Sequence, residues 1–170
     1  MSGGPIVAGF DLSFTMAAAV WLDEKFNVVD ARNSPIKPGP MRLKRALRLF
    51  YSWLQTPTDL AIIEDNAYGV PSRVVLVKLS QLNTLVKTVC ECEGVDWLEV
   101  APSALKKEIT GKGNAEKHQV AGQLGGLYGI TFKNDKGFDL SDAACAAVWG
   151  VKHLQRGVRR EKNLPKTKIV

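Results

Sequence analysis

Four carboxylates occupy positions where an α/β chain can assemble a reactive site. Asp11 closes the apolar run Ile6–Phe10, and Glu64 closes a second run, Leu60-Ala61-Ile62-Ile63. Asp139 and Asp142 lie three residues apart at the start of a helical stretch, so they share one side of it. If the two strands are neighbours, both strand-end acids emerge at one sheet edge, where open α/β sheets bind ligands. A helix crossing that edge would bring four hard oxygen donors together. Such a set suits Mg²⁺ or Mn²⁺, and can hold two ions about 3.5–4 Å apart to activate water and neutralise a phosphate. Each feature alone has an ordinary explanation. An Asp pair in a first helical turn commonly serves the free amides and the dipole, and a strand-end acid is often a turn residue. An apolar strand closing on a carboxylate twice, with a D-x-x-D opening a helix, favours a site. No Ser-His-Asp or Cys-His arrangement competes with it, and His153, late in a helix, reads as a surface residue.

The elements that must position these acids follow from periodicity and breakers. Ile6–Phe10, Met16–Leu22 and Phe26–Ala31 read as three strands in tight antiparallel hairpins, ended by the proline-rich stretch Ser34–Pro40. Met41–Leu54 reads as a helix, with Leu43, Leu47, Phe50 and Leu54 at helical spacing and Arg42, Lys44, Arg45 and Arg48 on the other side. After the strand at Leu60–Ile63 and a loop, Ser72 caps a helix that reaches Glu93 and stops at Gly94. Trp97–Val100 is a further strand. Helices are expected at Ser103–Ile109, at Ala115–Tyr128, and from Asp139 through Leu154. The order β-β-β-α-β-α-β-α-α-α predicts an α/β fold, a mixed sheet with helices on its faces.

With 170 residues and 18.6 kDa the chain is one domain of ordinary size, and 45% apolar with 24% charged residues excludes wholesale disorder. No apolar run approaches the roughly 20 residues of a membrane span, and the opening MSGGPIVAGF has no basic segment ahead of an apolar one. Three cysteines and two histidines are too few for a disulfide framework or a zinc cage, so the expected setting is cytoplasmic, with no membrane partner. Residues 156–170 hold six lysines and arginines against one glutamate, which places five of the six net positive charges there. The expected division is therefore a domain over 1–155 and a basic tail over 156–170. Such a tail fits either a polyanion partner or a solvated terminus.

Four segments in order, spread over most of the chain, carry a family resemblance: Gly9-Phe10-Asp11, Ala61-Ile62-Ile63-Glu64-Asp65, Thr110–Val120 and Asp139–Ala146. The G-x-G-[NS]-A-E-K-x-Q-V pattern followed by D-x-x-D-A-A resembles the RuvC-family Holliday junction resolvases of the RNase H-like superfamily. A second acid that ends a strand, rather than lying on the first helix, also matches the resolvases and not RNase H proper. The resemblance implies an RNase H-like mixed five-stranded sheet flanked by helices. It also implies a homodimer that hydrolyses phosphodiesters in four-way DNA junctions. Asp11, Glu64, Asp139 and Asp142 match the family's metal-binding acids, with Mg²⁺ expected and Mn²⁺ as its substitute. The products would be nicks with 5′-phosphate and 3′-hydroxyl ends. Two departures stand out. Asp11 is followed by Leu12-Ser13 where the family often has Pro-Gly, and Tyr68 lies one residue from the family's aromatic wedge.

DNA contacts are expected from Lys106 and Lys117, which match family lysines, and from Lys112, Arg73 and Tyr68. Lys112 has a solvated surface as its ordinary alternative. Tyr68, on a loop flanked by glycine and proline, could stack on a base or pack over its own loop. Val75, Leu79, Leu82, Val86 and Val89 repeat at 4-3-4-3 spacing on the long helix. That stripe suits either the sheet core or a coiled-coil-like seam. The resemblance points to a dimer interface through Val75, Leu79, Leu82 and Val86. Two alternatives of function accompany this expectation. One is a relaxed nuclease for flaps and forks, gripped by the basic tail. The other is a non-catalytic junction-binding module.

Overall fold

The computed structural model describes residues 4–65 and 72–162, with side chains described as far as Gly157. Five strands and five helices follow one another as β1 (Val7–Leu12), β2 (Met16–Leu22), β3 (Val28–Pro35), α1 (Arg42–Trp53), β4 (Leu60–Glu64), α2 (Arg73–Glu93), β5 (Asp96–Val100), α3 (Pro102–Thr110), α4 (Lys117–Tyr128) and α5 (Asp139–Lys162). The sheet order is β3-β2-β1-β4-β5. The first three strands form an antiparallel meander, and β4 and β5 run parallel to β1. This is the mixed sheet expected from the element order.

Several boundaries differ from the sequence expectation. Strand β1 does not stop before Asp11. Asp11 and Leu12 remain paired with Ala18 and Ala17, so the acid sits inside the ladder. Strand β3 continues through the predicted break to Pro35, pairing Arg32, Asn33, Ser34 and Pro35 with Ala19, Ala18, Ala17 and Met16. As the edge strand it tolerates a proline, whose missing N–H costs nothing on the open side. Helix α2 matches its expected ends. Ser72 Oγ accepts from the Val75 amide, and Gly94 takes the left-handed conformation (φ 69°) that terminates it. Helix α5 runs beyond residue 155, where the basic tail was expected to begin, and Arg156 pairs with Glu108 at 2.5 Å.

Alternation along the strands divides the core into two layers. On one face Val7, Ala18, Val20, Leu22, Leu60 and Ile62 pack against α3, α4 and α5. On the other, Ala8, Phe10, Leu12, Trp21, Ala61 and Ile63 pack against α1 and α2. Asp11 shares its parity with Val7 and Gly9, and Glu64 with Leu60 and Ile62, so both belong to the α5 face. At this face the backbones come close. A β-carbon at position 9 would collide with the Ala143 carbonyl and the Ala147 amide, and one at position 150 would meet Val7 and Ile62 side chains at 2.6 Å. Glycine at both sites lets α5 lie directly on β1 and β4.

Candidate metal and DNA-cleavage site

The parallel register pairs Phe10 with Ile63, one residue before each strand acid. Asp11 and Glu64 therefore stand side by side at the same level, on the same face. The close approach of α5 carries Asp139 and Asp142 to them. The charges of Glu64, Asp142 and Asp139 all act on Asp11.

Capping does not consume the Asp139/Asp142 pair. That work falls to Asp135, whose carboxylate accepts from the Leu140 amide (3.2 Å), the Ser141 amide (2.9 Å) and the Ser141 hydroxyl (2.7 Å). The residue just before the helix is Phe138, at φ 61° and without a polar side chain to offer. The sequence signal for Asp135 was present in Asn134-Asp135-Lys136-Gly137, but the nearer acids drew the capping assignment.

The site is electrostatically strained toward the neutral form. Burial pushes the Asp11 carboxyl well above its usual value, and the charges of Glu64 and Asp142 push it further. Burial followed by the Asp142 charge raises Glu64 to about 7. Asp142 is raised by burial even though Lys117 opposes this. The Lys117 ammonium contacts Asp142 Oδ2 at 2.6 Å and donates to the Gly137 carbonyl at 3.2 Å. Burial lowers its pKa, but the bond and charge of Asp142 outweigh that and the net direction is up. Lys106 also offsets the charge of Glu64 and Asp142.

Asp11, Glu64, Asp139, Asp142, Lys106 and Lys117 thus meet at one edge. Lys112 and Arg73 remain exposed and contact none of the acids, and Tyr68 lies outside the described residues. The donor set fits a divalent cation by its chemistry: hard oxygens, more carboxylates than lysines, and a field that keeps protons on. Among the described residues, no three acids converge on a common point at ligating distance, and Lys117 pairs with Asp142.

Sequence reasoning missed Asn83, which is buried and donates from Nδ2 to the Glu64 carbonyl at 3.3 Å, fixing the end of β4. The expected seam on α2 requires correction. Leu79, Leu82 and Val86 are buried in the chain's own core and Val75 is half-buried, because this stripe faces the sheet. The outward apolar residues of α2 are Val74 and Val77.

A five-stranded mixed sheet with α5 laid across β1 and β4 and acids at its edge defines an RNase H-like α/β fold. The family model for crossover junction endodeoxyribonuclease RuvC matches residues 25–149, and the chain belongs to that family. The RuvC of Sulfurovum sp. (strain NBC37-1) is 31% identical over 147 residues, covering 84% of this chain and 88% of that protein. The RuvC of Nitratidesulfovibrio vulgaris (strain DP4) is 31% identical over 93 residues, which span 55% of this chain and only 54% of that relative. Among solved structures, Thermus thermophilus RuvC superposes with a TM-score of 0.77 at 19% identity, covering 89% of this chain and 96% of that one. The same protein in complex with a Holliday junction substrate gives 0.78 at 20% identity, covering 90% and 96%.

Proposed function

We propose that this protein is a structure-selective DNA endonuclease that resolves four-way junctions. The observation that carries the proposal is the arrangement of Asp11, Glu64, Asp139 and Asp142 on one face and edge of the sheet, in a chain of the RuvC family. In this proposal the four acids hold divalent cations, Mg²⁺ or Mn²⁺. When bound, such cations lower the pKa of an attacking water and neutralise charge on the phosphate. Water adds to phosphorus, the P–O3′ bond breaks, and the leaving oxygen ends as a 3′-hydroxyl beside a 5′-phosphate. Asn83 and the β1–β4 ladder keep Glu64 and Asp11 in register, and Asp135 relieves Asp139 and Asp142 of capping α5. Lys106 and Lys117 supply positive charge for the scissile phosphate; Lys112, Arg73 and Tyr68 extend the contact to neighbouring DNA.

A homodimer belongs to the same proposal, since two sites related by a two-fold axis match the two-fold symmetry of a junction. The surface that suits a second copy is the apolar groove of α1 and α2 formed by Leu43, Leu76, Val77 and Leu85, not the buried stripe. Sedimentation of Val77→Glu tests this, with a shift toward monomer expected. A cytoplasmic setting is also proposed, in keeping with three free thiols, of which Cys92 is exposed.

Incubating the protein and Mg²⁺ with a synthetic four-way junction, a fork and linear duplex tests the whole. Paired nicks confined to the junction and resealed by DNA ligase are expected. Equal cutting of forks would replace junction selectivity with relaxed branched-DNA cleavage.

A further inference from the structure

Away from the acids, Arg42 and Lys78 share the ring of Phe14 and join no ion pair among the described residues. Phe14 lies in the turn between β1 and β2, three residues past Asp11 at the same sheet edge. The Arg42 guanidinium carbon is 5.3 Å from its ring centroid, and Lys78 Nζ is 4.6 Å from it. Arg42, the first residue of α1, is only 7% exposed. Its Nη2 donates to the Phe14 carbonyl at 3.4 Å, and its Nε is buried without a hydrogen-bond partner among the described residues. Neither Arg42 nor Lys78 joins any ion pair among the described residues.

A buried arginine is costly unless a carboxylate meets it, and two cations drawn to one ring also repel each other. The ring offsets part of this cost. The rest calls for an anion from outside the chain. The surroundings favour one. Residues 31–58 contain six lysines and arginines and no acid, and Lys37, Lys44, Arg45 and Arg48 are exposed. The position is also informative. Lys106 and Lys117 approach the edge from α3 and α4, on the α5 face, whereas Arg42 and Lys78 approach it from α1 and α2, on the other face.

We propose that Arg42 and Lys78, held in place by Phe14, form a second phosphate-binding site for the DNA strand. With it the nucleic acid is gripped from both faces of the sheet, and the acids lie between the two grips. Phe14 is a positioning residue that fixes the separation of the two cations. This site rests on the DNA-cleavage proposal above.

The test is binding of a labelled four-way junction in Ca²⁺ across a salt series, by wild type, Lys78→Gln, Phe14→Leu, Arg42→Gln and Lys25→Gln. Lys25 lies in the β2–β3 turn at the opposite sheet edge. Lys78→Gln is expected to weaken binding by about three- to tenfold and to flatten the slope of log K against log salt by about one. Phe14→Leu should act in the same direction although it removes no charge, and Lys25→Gln should match wild type. Wild-type affinity and slope in both Lys78→Gln and Phe14→Leu would overturn the second site while leaving the nuclease proposal intact. Failure of wild type to bind the junction would overturn both. Thermal melts accompany every variant, and if Arg42→Gln is unfolded, the other two variants decide.

Discussion

Beneath α5 the sheet presents Val7, Gly9, Ala18 and Ile62, and the helix answers with Ala143, Ala144, Ala146, Ala147 and Gly150. Beneath α1 it presents Phe10 and Trp21, met edge-to-face by Phe50 and Trp53 with centroids 6.5 and 6.4 Å apart. Aromatic packing fills volume and keeps a helix at a distance. Small residues give up that burial and let two backbones touch. The aromatic face supplies stability, and the small-residue face supplies placement, since only a helix lying directly on β1 and β4 can set Asp139 and Asp142 beside Asp11 and Glu64.

Substitutions can separate the two roles. Phe50→Ala should cost about 3–5 kcal/mol in urea unfolding while cleavage per folded molecule is preserved. If cleavage is lost in samples that are still folded, the division between the faces is wrong. The next effect concerns pH. Glu64 titrates near 7 in the folded chain, above an ordinary glutamate at 4.5, so the fold binds its proton more tightly than the unfolded chain does. That contribution is complete below pH 4.5 and is lost as pH rises through about 7. Without divalent cations, stability should therefore fall over this interval, by at most about 3 kcal/mol from this group. Glu64→Gln should flatten the trend, and Mg²⁺ should reverse part of it; calorimetry across the pH range reads both.

Gly9→Ala is the sharpest probe of placement. It should cost about 1–3 kcal/mol by overpacking, yet lower cleavage by about a hundredfold because α5 is lifted from the acids of the sheet. Cleavage that tracks stability alone would remove the special role of the small-residue face. The smallest effect is expected from Asp135→Ala, about 0.5–2 kcal/mol from loss of a helix cap, measured by thermal melting.

How far these features could be read from residues alone varied with the physics behind them. Helix α2 was legible to its ends because Ser72 and Gly94 act locally. The strand acids were legible because an apolar run closing on a carboxylate is a short-range pattern. The continuation of β3 through Pro35 was not, since tolerance for proline depends on being the sheet edge, which is a property of topology. The stripe on α2 could face a sheet or a partner with equal periodicity, and only burial resolved it. Asn83 and the Arg42–Phe14–Lys78 cluster depend on contacts between residues distant in sequence. No motif announces them.

The central claim is that the four acids form one metal-dependent cleavage centre. Cleavage of a four-way junction by wild type and Asp142→Asn, each in Mg²⁺ and in Ca²⁺ with binding followed on the same samples, tests it most directly. Wild type should make paired, symmetric nicks in Mg²⁺, while Asp142→Asn binds the junction and does not cut it. Tight binding by wild type with no cleavage in either Mg²⁺ or Mn²⁺ would contradict the account and leave the carboxylates as structural groups in a junction-binding protein.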